Sequence, residues 1–178
     1  MSQQYRRLEA IAMTALLTLT GCADSAVIST TYRDVSYAPM EFTGQGSLPV
    51  LVSGDPFSVP RDQFSADVAD ALQGTVLGAN TPFVPAPQGS PAAYRIAMDF
   101  SGSSTAAALC AQRDLPPSPP AVNAAAGGRA RVSAALCRGD RAITNASGSL
   151  PLGDGPTSAP FRRGVAQFGM ALLPPRQR

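Results

Sequence analysis

Two periodicities divide this chain into elements. Tyr94, Ile96, Met98 and Phe100 alternate with Arg95, Ala97 and Asp99, which is the two-residue period of a strand with one buried face. The same alternation runs through 129–137. There Ala130, Val132, Ala134 and Leu136 fall on one side and Arg129, Arg131, Ser133 and Cys137 on the other. Gly139-Asp140 and a second run, 141–150, complete a predicted hairpin, with glycine leading as a type II′ turn prefers. Leu48-Pro-Val-Leu-Val-Ser53 is a shorter apolar run closed by Gly54-Asp55-Pro56, so it reads as a strand entering a turn.

The helical period appears twice. Phe64, Val68, Ala71 and Leu72 share one face, and Asp62, Gln63, Asp67 and Asp70 point away. Ser58 is the predicted cap, Pro60 is tolerated in the first turn, Asp62 suits the positive helix end, and Gly74 stops the helix. In the second helix Phe161, Val165, Phe168 and Leu172 form the apolar stripe, with Arg162, Arg163 and Gln167 opposite. Ser158 is expected to cap it, Pro160 lies in its first turn, and Pro174-Pro175 ends it before the short basic tail Arg176-Gln-Arg178.

Both helices want the apolar face of Tyr94, Ile96, Met98, Phe100, Val132 and Leu136. The order strand, helix, strand, strand, strand, helix predicts an α/β (α+β) fold. It is a two-layer sandwich, a small mainly antiparallel sheet with two helices on one face. Between the periodic segments, 75–91 is rich in proline and glycine and reads as a long irregular crossing. Residues 101–128 carry Leu-Pro-Pro-Ser-Pro-Pro at 115–120 and Ala-Ala-Ala-Gly-Gly at 124–128, which reads as a surface loop with no element of its own.

The amino terminus has a different pattern. Arg6 and Arg7 precede an apolar run, Ala10 to Leu19, that closes on Leu19-Thr20-Gly21-Cys22. The run is about half the ~20 residues a membrane-spanning helix needs, which suits a cleaved signal. These residues resemble a bacterial lipoprotein signal ending in a lipobox. The resemblance implies that residues 1–21 are removed and that Cys22 becomes the lipidated first residue, carrying a diacylglycerol on sulfur and an acyl chain such as palmitate on its amine. Two or three chains make attachment effectively permanent, since each buried methylene contributes about 0.8 kcal/mol. Ala23, where aspartate would favour inner-membrane retention, implies the periplasmic face of the outer membrane, with the inner membrane as the alternative. The expected organisation is a tether at 22–47, whose Tyr37–Phe42 part lies extended against the domain, and a single domain at 48–178.

Composition narrows the chemistry. The chain holds no histidine, which excludes Ser-His-Asp and Cys-His catalysis and removes the commonest ligand of catalytic zinc. No metal and no cofactor beyond the covalent lipid is expected. The formal net charge is +2, and losing Arg6, Arg7 and Glu9 with the signal keeps the mature chain near neutral. That balance argues against a nucleic-acid partner. Cys110 and Cys137 remain as an even pair in an oxidising compartment and are expected to form one disulfide. Because Cys137 lies at the far end of its strand, residues 101–110 must then fold back over the polar sheet face, a span of roughly 26 Å that ten residues reach.

The leading functional expectation is a non-enzymatic, membrane-anchored accessory or assembly subunit that acts by binding, with an envelope protein complex as partner. Arg95, Arg129, Arg131 and Arg141 are the candidate surface for an acidic partner or lipid headgroups. A carrier for lipid or another apolar ligand, with a groove between helices and sheet, is the second expectation. A cell-envelope hydrolase using Asp55, Asp99 or Asp140 is the third, although aspartates at turns are usually turn formers. Arg138-Gly139-Asp140 matches an adhesion tripeptide by letters alone, and the turn accounts for it.

Overall fold

Six strands form one sheet in the computed structural model, which describes residues 25–32, 46–75, 81–86, 92–112 and 128–173. The strands are β1 (Val27–Tyr32), β2 (Leu48–Ser53), β3 (Phe83–Pro85), β4 (Tyr94–Asp99), β5 (Arg129–Arg138) and β6 (Arg141–Pro151). The sheet order is β1-β6-β5-β4-β2-β3. Its β1-β6-β5-β4 part is antiparallel, and β2 runs parallel to both β4 and β3. The helices are α1 (Arg61–Leu72), α2 (Ala106–Ala111) and α3 (Ala159–Leu172). The two-layer α/β sandwich expected from the periodicities is the observed fold.

The predicted hairpin is present, with Arg138 opposite Arg141 across Gly139-Asp140. Gly139 has φ +57 and Asp140 is not left-handed, as the type II′ geometry needs. A bulge between Leu136 and Cys137 admits Ile143 as the extra residue, and Ile143 is buried against the main core.

Three elements depart from the expected organisation. Val27–Tyr32, read from the sequence as tether, is the outermost strand of the sheet, antiparallel to β6 from Val27↔Ser149 to Tyr32↔Thr144. Its β-branched run Val-Ile-Ser-Thr-Thr suits a pleated surface, but its apolar content is too low to stand out from a linker. Gly148 makes the pairing feasible, because a Cβ there would overlap the carbonyl oxygen of Val27. β3 lies inside the expected irregular crossing, and its three residues are too few to carry a period. α2 lies inside the expected loop at 101–128. Thr105 caps it by accepting from Ala108 N at 3.2 Å, and it packs on the sheet face opposite the long helices. The expected signal and lipobox, the Tyr37–Phe42 segment, the proline- and alanine-rich stretches at 115–120 and 124–128, and the basic tail lie outside the described residues.

The caps differ as well. Helix α1 begins at Arg61 with Pro60 at the cap and no side-chain cap bond. Ser58, the predicted cap, takes a left-handed φ of 58 and sits two residues before the cap position at Pro60. Ser158 does occupy the cap position of α3, but its hydroxyl donates to Leu152 O at 3.0 Å, tying the helix start to the end of β6.

The principal core fills the space between α1, α3 and the sheet. Phe64, Phe100, Phe161, Phe168, Leu48, Leu72, Ile96, Met98, Leu136 and Leu150 are fully buried. Phe161 lies 5.1 Å from Phe57, 5.8 Å from Phe100 and 5.9 Å from Phe64, measured between ring centroids. Helix α3 comes close to α1 at Gly169, where a Cβ would lie 2.7 Å from Leu72 Cδ2. A second, smaller cluster on the opposite face joins Leu51, Ala97, Leu109, Cys110, Ala135 and Cys137. With both faces covered, every residue of β2 and β4 is buried, so β4 is not the half-exposed strand its alternation suggests. Among the described residues, no helix is long and apolar enough to cross a membrane.

Candidate functional site

The sheet face opposite the long helices gathers most of the residues that sequence reasoning singled out. Cys110, on α2, and Cys137, near the end of β5, form a disulfide with Cα atoms 5.4 Å apart. The segment 101–110 crosses the sheet to make that bond, as the position of Cys137 required, and it does so partly as a helix. Both cysteines are fully buried.

Arg95 sits opposite Cys137 in the β4–β5 register and is only 4% exposed. Its Nη2 donates to the carbonyl of Cys110 and to that of Gln112 at 3.4 Å. The guanidinium therefore holds the C-terminal end of α2, where unsatisfied carbonyls and the helix dipole favour a cation. The expected outward-facing arginine is a buried fastening for the disulfide helix.

Asp99 plays the corresponding part at the other end of the crossing. It is 3% exposed, and its Oδ1 accepts from Ser101 N at 3.0 Å. Its Oδ2 accepts from the Ser101 hydroxyl at 2.7 Å and from Ser104 N at 3.1 Å. Burial pushes its pKa up, but the hydrogen bonds from Ser104 and Ser101 outweigh that and hold it below the ordinary carboxylate value. In the window between the folded and unfolded values the unfolded chain binds more protons, so stability rises with pH. The contribution is complete above the unfolded value and is lost as pH falls through the folded one. Asp99→Asn is expected to cost about 1–3 kcal/mol at neutral pH, the scale of bonds to a buried charged acceptor. It is also expected to flatten the acid limb of stability. Urea unfolding of both chains across a pH series reads this, and parallel acid limbs would refute it.

Asp55 and Asp140 are also occupied. Asp55 turns both oxygens onto its own loop, accepting from Phe57 N at 2.8 Å and Val59 N at 2.6 Å. This fixes the β2–α1 connection and seats Phe57 on the aromatic core. Beside that loop a half-open recess of ≈ 320 Å³ is lined by Val52, Gly54, Asp55, Val59, Arg61 and Phe64, among others. Asp140 lies at the exposed tip of the hairpin, at the opposite end of β5 from the Asp99 loop.

The four candidate arginines do not gather. Arg95 is buried under α2. Arg129 donates from Nη2 to Ser25 O at 2.9 Å and Ser149 O at 3.1 Å, and from Nε to the Ser149 hydroxyl at 3.3 Å. Arg131 is exposed two residues along, and Arg141 is exposed at the hairpin tip. Seven residues of strand separate Arg131 from Arg138, beside the tip, so the two ends are about 23 Å apart. Strand alternation puts Arg95, Arg129 and Arg131 on the α2 face, whereas Arg141 precedes Ala142, which packs with the disulfide cluster, and so starts β6 on the opposite face. Alternation also carries no information about distance along a face or about a helix lying over it. The signal for α2 was present in Thr105-Ala-Ala-Ala-Leu, a capping residue before a helix-forming run. Among the described residues no group of three or more Cys, Asp or Glu side chains is placed to hold a metal ion.

A six-stranded mixed sheet with two long helices on one face and a disulfide-linked short helix on the other thus defines the class of fold. No protein-family model and no curated protein matches the chain. Among solved structures it is similar to the PelC dodecamer from Paraburkholderia phytofirmans, at 14% identity and a TM-score of 0.45, covering 85% of this chain and 99% of that one. A leucine-to-methionine variant of the same PelC dodecamer matches with a TM-score of 0.44 at the same identity and coverage.

Proposed function

We propose that this chain is a lipid-anchored, non-catalytic lipoprotein of the cell envelope that acts by binding another envelope component. The observation that carries the reading is what the charged side chains do. Asp55 and Asp99, two of the hydrolase candidates, spend their carboxylate oxygens on backbone and hydroxyl donors. Arg95 is spent on α2. Groups held this way stabilise a scaffold, whereas a general acid or base needs an oxygen turned towards substrate. The packed phenylalanines between the helices and the sheet likewise favour a binding scaffold over a carrier with its groove there. The anchor itself rests on Leu19-Thr20-Gly21-Cys22.

Two measurements test the reading. Expressed with its signal, the wild-type chain is expected to stay with membranes through salt and carbonate washes and to leave only with detergent. Cys22→Ser is expected to lose its lipid and that behaviour. Equal membrane retention of the two chains would refute the anchor. Crosslinking and pull-down from envelopes is expected to recover a protein partner specifically. Recovery of bound lipid with no partner would refute the binding-subunit role in favour of a carrier.

A further inference from the structure

We infer that the end of the sheet where β1 begins lies directly on the membrane surface, as a docked face of the domain. The inference rests on the lipid anchor proposed above and goes beyond it, because an anchor on a long leash imposes no orientation. Here the leash is short. Ser25 and Ala26 are already fastened to the domain: Arg129 donates to Ser25 O at 2.9 Å, and Ala26 N donates to Gln167 Oε1 of α3 at 2.8 Å. Only three peptide links separate Cys22 from Ser25, so the two Cα atoms lie no more than roughly 11 Å apart. A headgroup layer is itself about 5–7 Å deep on each side of the hydrocarbon core. With the lipid chains of Cys22 in the bilayer, the Ser25 end of the domain therefore reaches the headgroups.

The surface at that end is chemically suited to the contact. Among the described residues the exposed large hydrophobic side chains are Val27, 69% exposed, and Met170, 48% exposed. Val27 is the residue after the Ala26 fastening, beside the point where the anchor enters. Met170 follows Gly169, which meets Leu72 and Thr75 at the C-terminal end of α1, so it lies towards the hairpin-tip end of the helix layer and outside the docked face. Basic residues lie beside Val27. Val27, Ser149 and Arg131 form one row across β1, β6 and β5, and Arg163 is one turn before Gln167 on α3. The neighbouring 152–158 turn contributes one acid, Asp154. An exposed apolar side chain beside arginines suits the interface of a bilayer carrying anionic headgroups. The hairpin tip at Asp140, about 23 Å further along β5 from Arg131, then points away from the membrane.

Spin labels on the full-length lipidated chain test this. Single cysteines are introduced as Val27→Cys, Met170→Cys and Asp140→Cys, all at exposed positions. Cys110 and Cys137 are buried in their disulfide, and the Cys22 sulfur is blocked by lipid, so only the new thiol takes the label. The labelled chains are reconstituted in vesicles of phosphatidylethanolamine and phosphatidylglycerol. The label at 27 is expected to lose accessibility to a water-soluble nickel chelate and to gain accessibility to oxygen, while the labels at 170 and 140 stay accessible to nickel. Equal nickel accessibility at all three sites, on a chain whose mass shows lipid on Cys22, would overturn the docking and leave the anchor standing. A mass showing no lipid on Cys22 would overturn the anchor, and the docking with it.

Discussion

Phe161→Ala is expected to destabilise the domain by about 4 kcal/mol, within the usual range for deleting a fully buried phenylalanine. Phe161 has no exposed surface and stands where α3, α1 and the end of β4 converge, with Phe57, Phe64 and Phe100 around it. Truncation removes three aromatic pairs, each worth about 0.5–1.5 kcal/mol beyond burial, and leaves a void that neighbouring rings cannot fill without abandoning their own partners. Phe57 reaches the cluster only because Asp55 folds the loop beneath it, so the damage is expected to spread to residues 55–59. At about 2–4 °C per kcal/mol for a domain of this size, the melting temperature falls by about 10 °C. Met170→Ala, on the outer side of the same helix, is expected to change stability by no more than about 0.5 kcal/mol. Denaturant unfolding of the two variants beside the wild type checks this. A loss below about 1 kcal/mol for Phe161→Ala would show that the aromatic cluster is not the keystone its geometry indicates.

Removing the disulfide is expected to cost nearly as much. Cys110 and Cys137 are 27 residues apart, and closing a loop of that length stabilises by about 3.5 kcal/mol on the chain-entropy estimate. The double variant Cys110→Ala, Cys137→Ala also loses what the bond holds in place. Without it, α2 has six residues, far too few to persist as an isolated helix. Its departure would uncover Leu51, Ala97 and Ala135 and leave Arg95 without its carbonyl partners. Calorimetry with and without reductant, and of the variant, is expected to show a melting temperature about 10 °C lower in both altered states. Amide exchange at 106–112 should accelerate well beyond exchange in α3. Free thiols at Cys110 and Cys137 in unreduced protein, found by mass spectrometry, would remove the basis of the prediction.

The sequence disclosed those parts of the fold whose stabilisation is periodic and local. The stripes Phe64–Leu72 and Phe161–Leu172, the alternations in 94–100 and 129–137, and the turn at Gly139-Asp140 each contain the reason for their own structure. β1, β3 and α2 do not. β1 is stable because β6 offers it a partner more than a hundred residues away, with Gly148 clearing the approach, and none of that is visible in Val-Ile-Ser-Thr-Thr-Tyr. β3 completes a parallel pair with β2 across the α1 crossover and has only three residues with which to announce itself. α2 depends on a covalent bond and a buried arginine. The candidate site divided the same way. The pairing of Cys110 with Cys137 and the outward side of Cys137 could be read from the chain. The burial of Arg95 and Asp99 could not, because it depends on the segment laid across them.

The partnership of β1 with β6 also sets the order in which this molecule can be made. Ala26 binds Gln167, and Val27 through Tyr32 wait for residues 144–149. The strand synthesised before the other five is among the last to find its place. Contacts of such long sequence separation carry a large loop-closure cost and slow folding. Until β6 emerges, β1 exposes both of its hydrogen-bonding rims to any neighbouring chain. Maturation of this protein is therefore gated from its carboxyl end. A chain arrested or clipped before residue 144 would carry its amino-terminal strand unpaired, in a form suited to aggregation and not to its task.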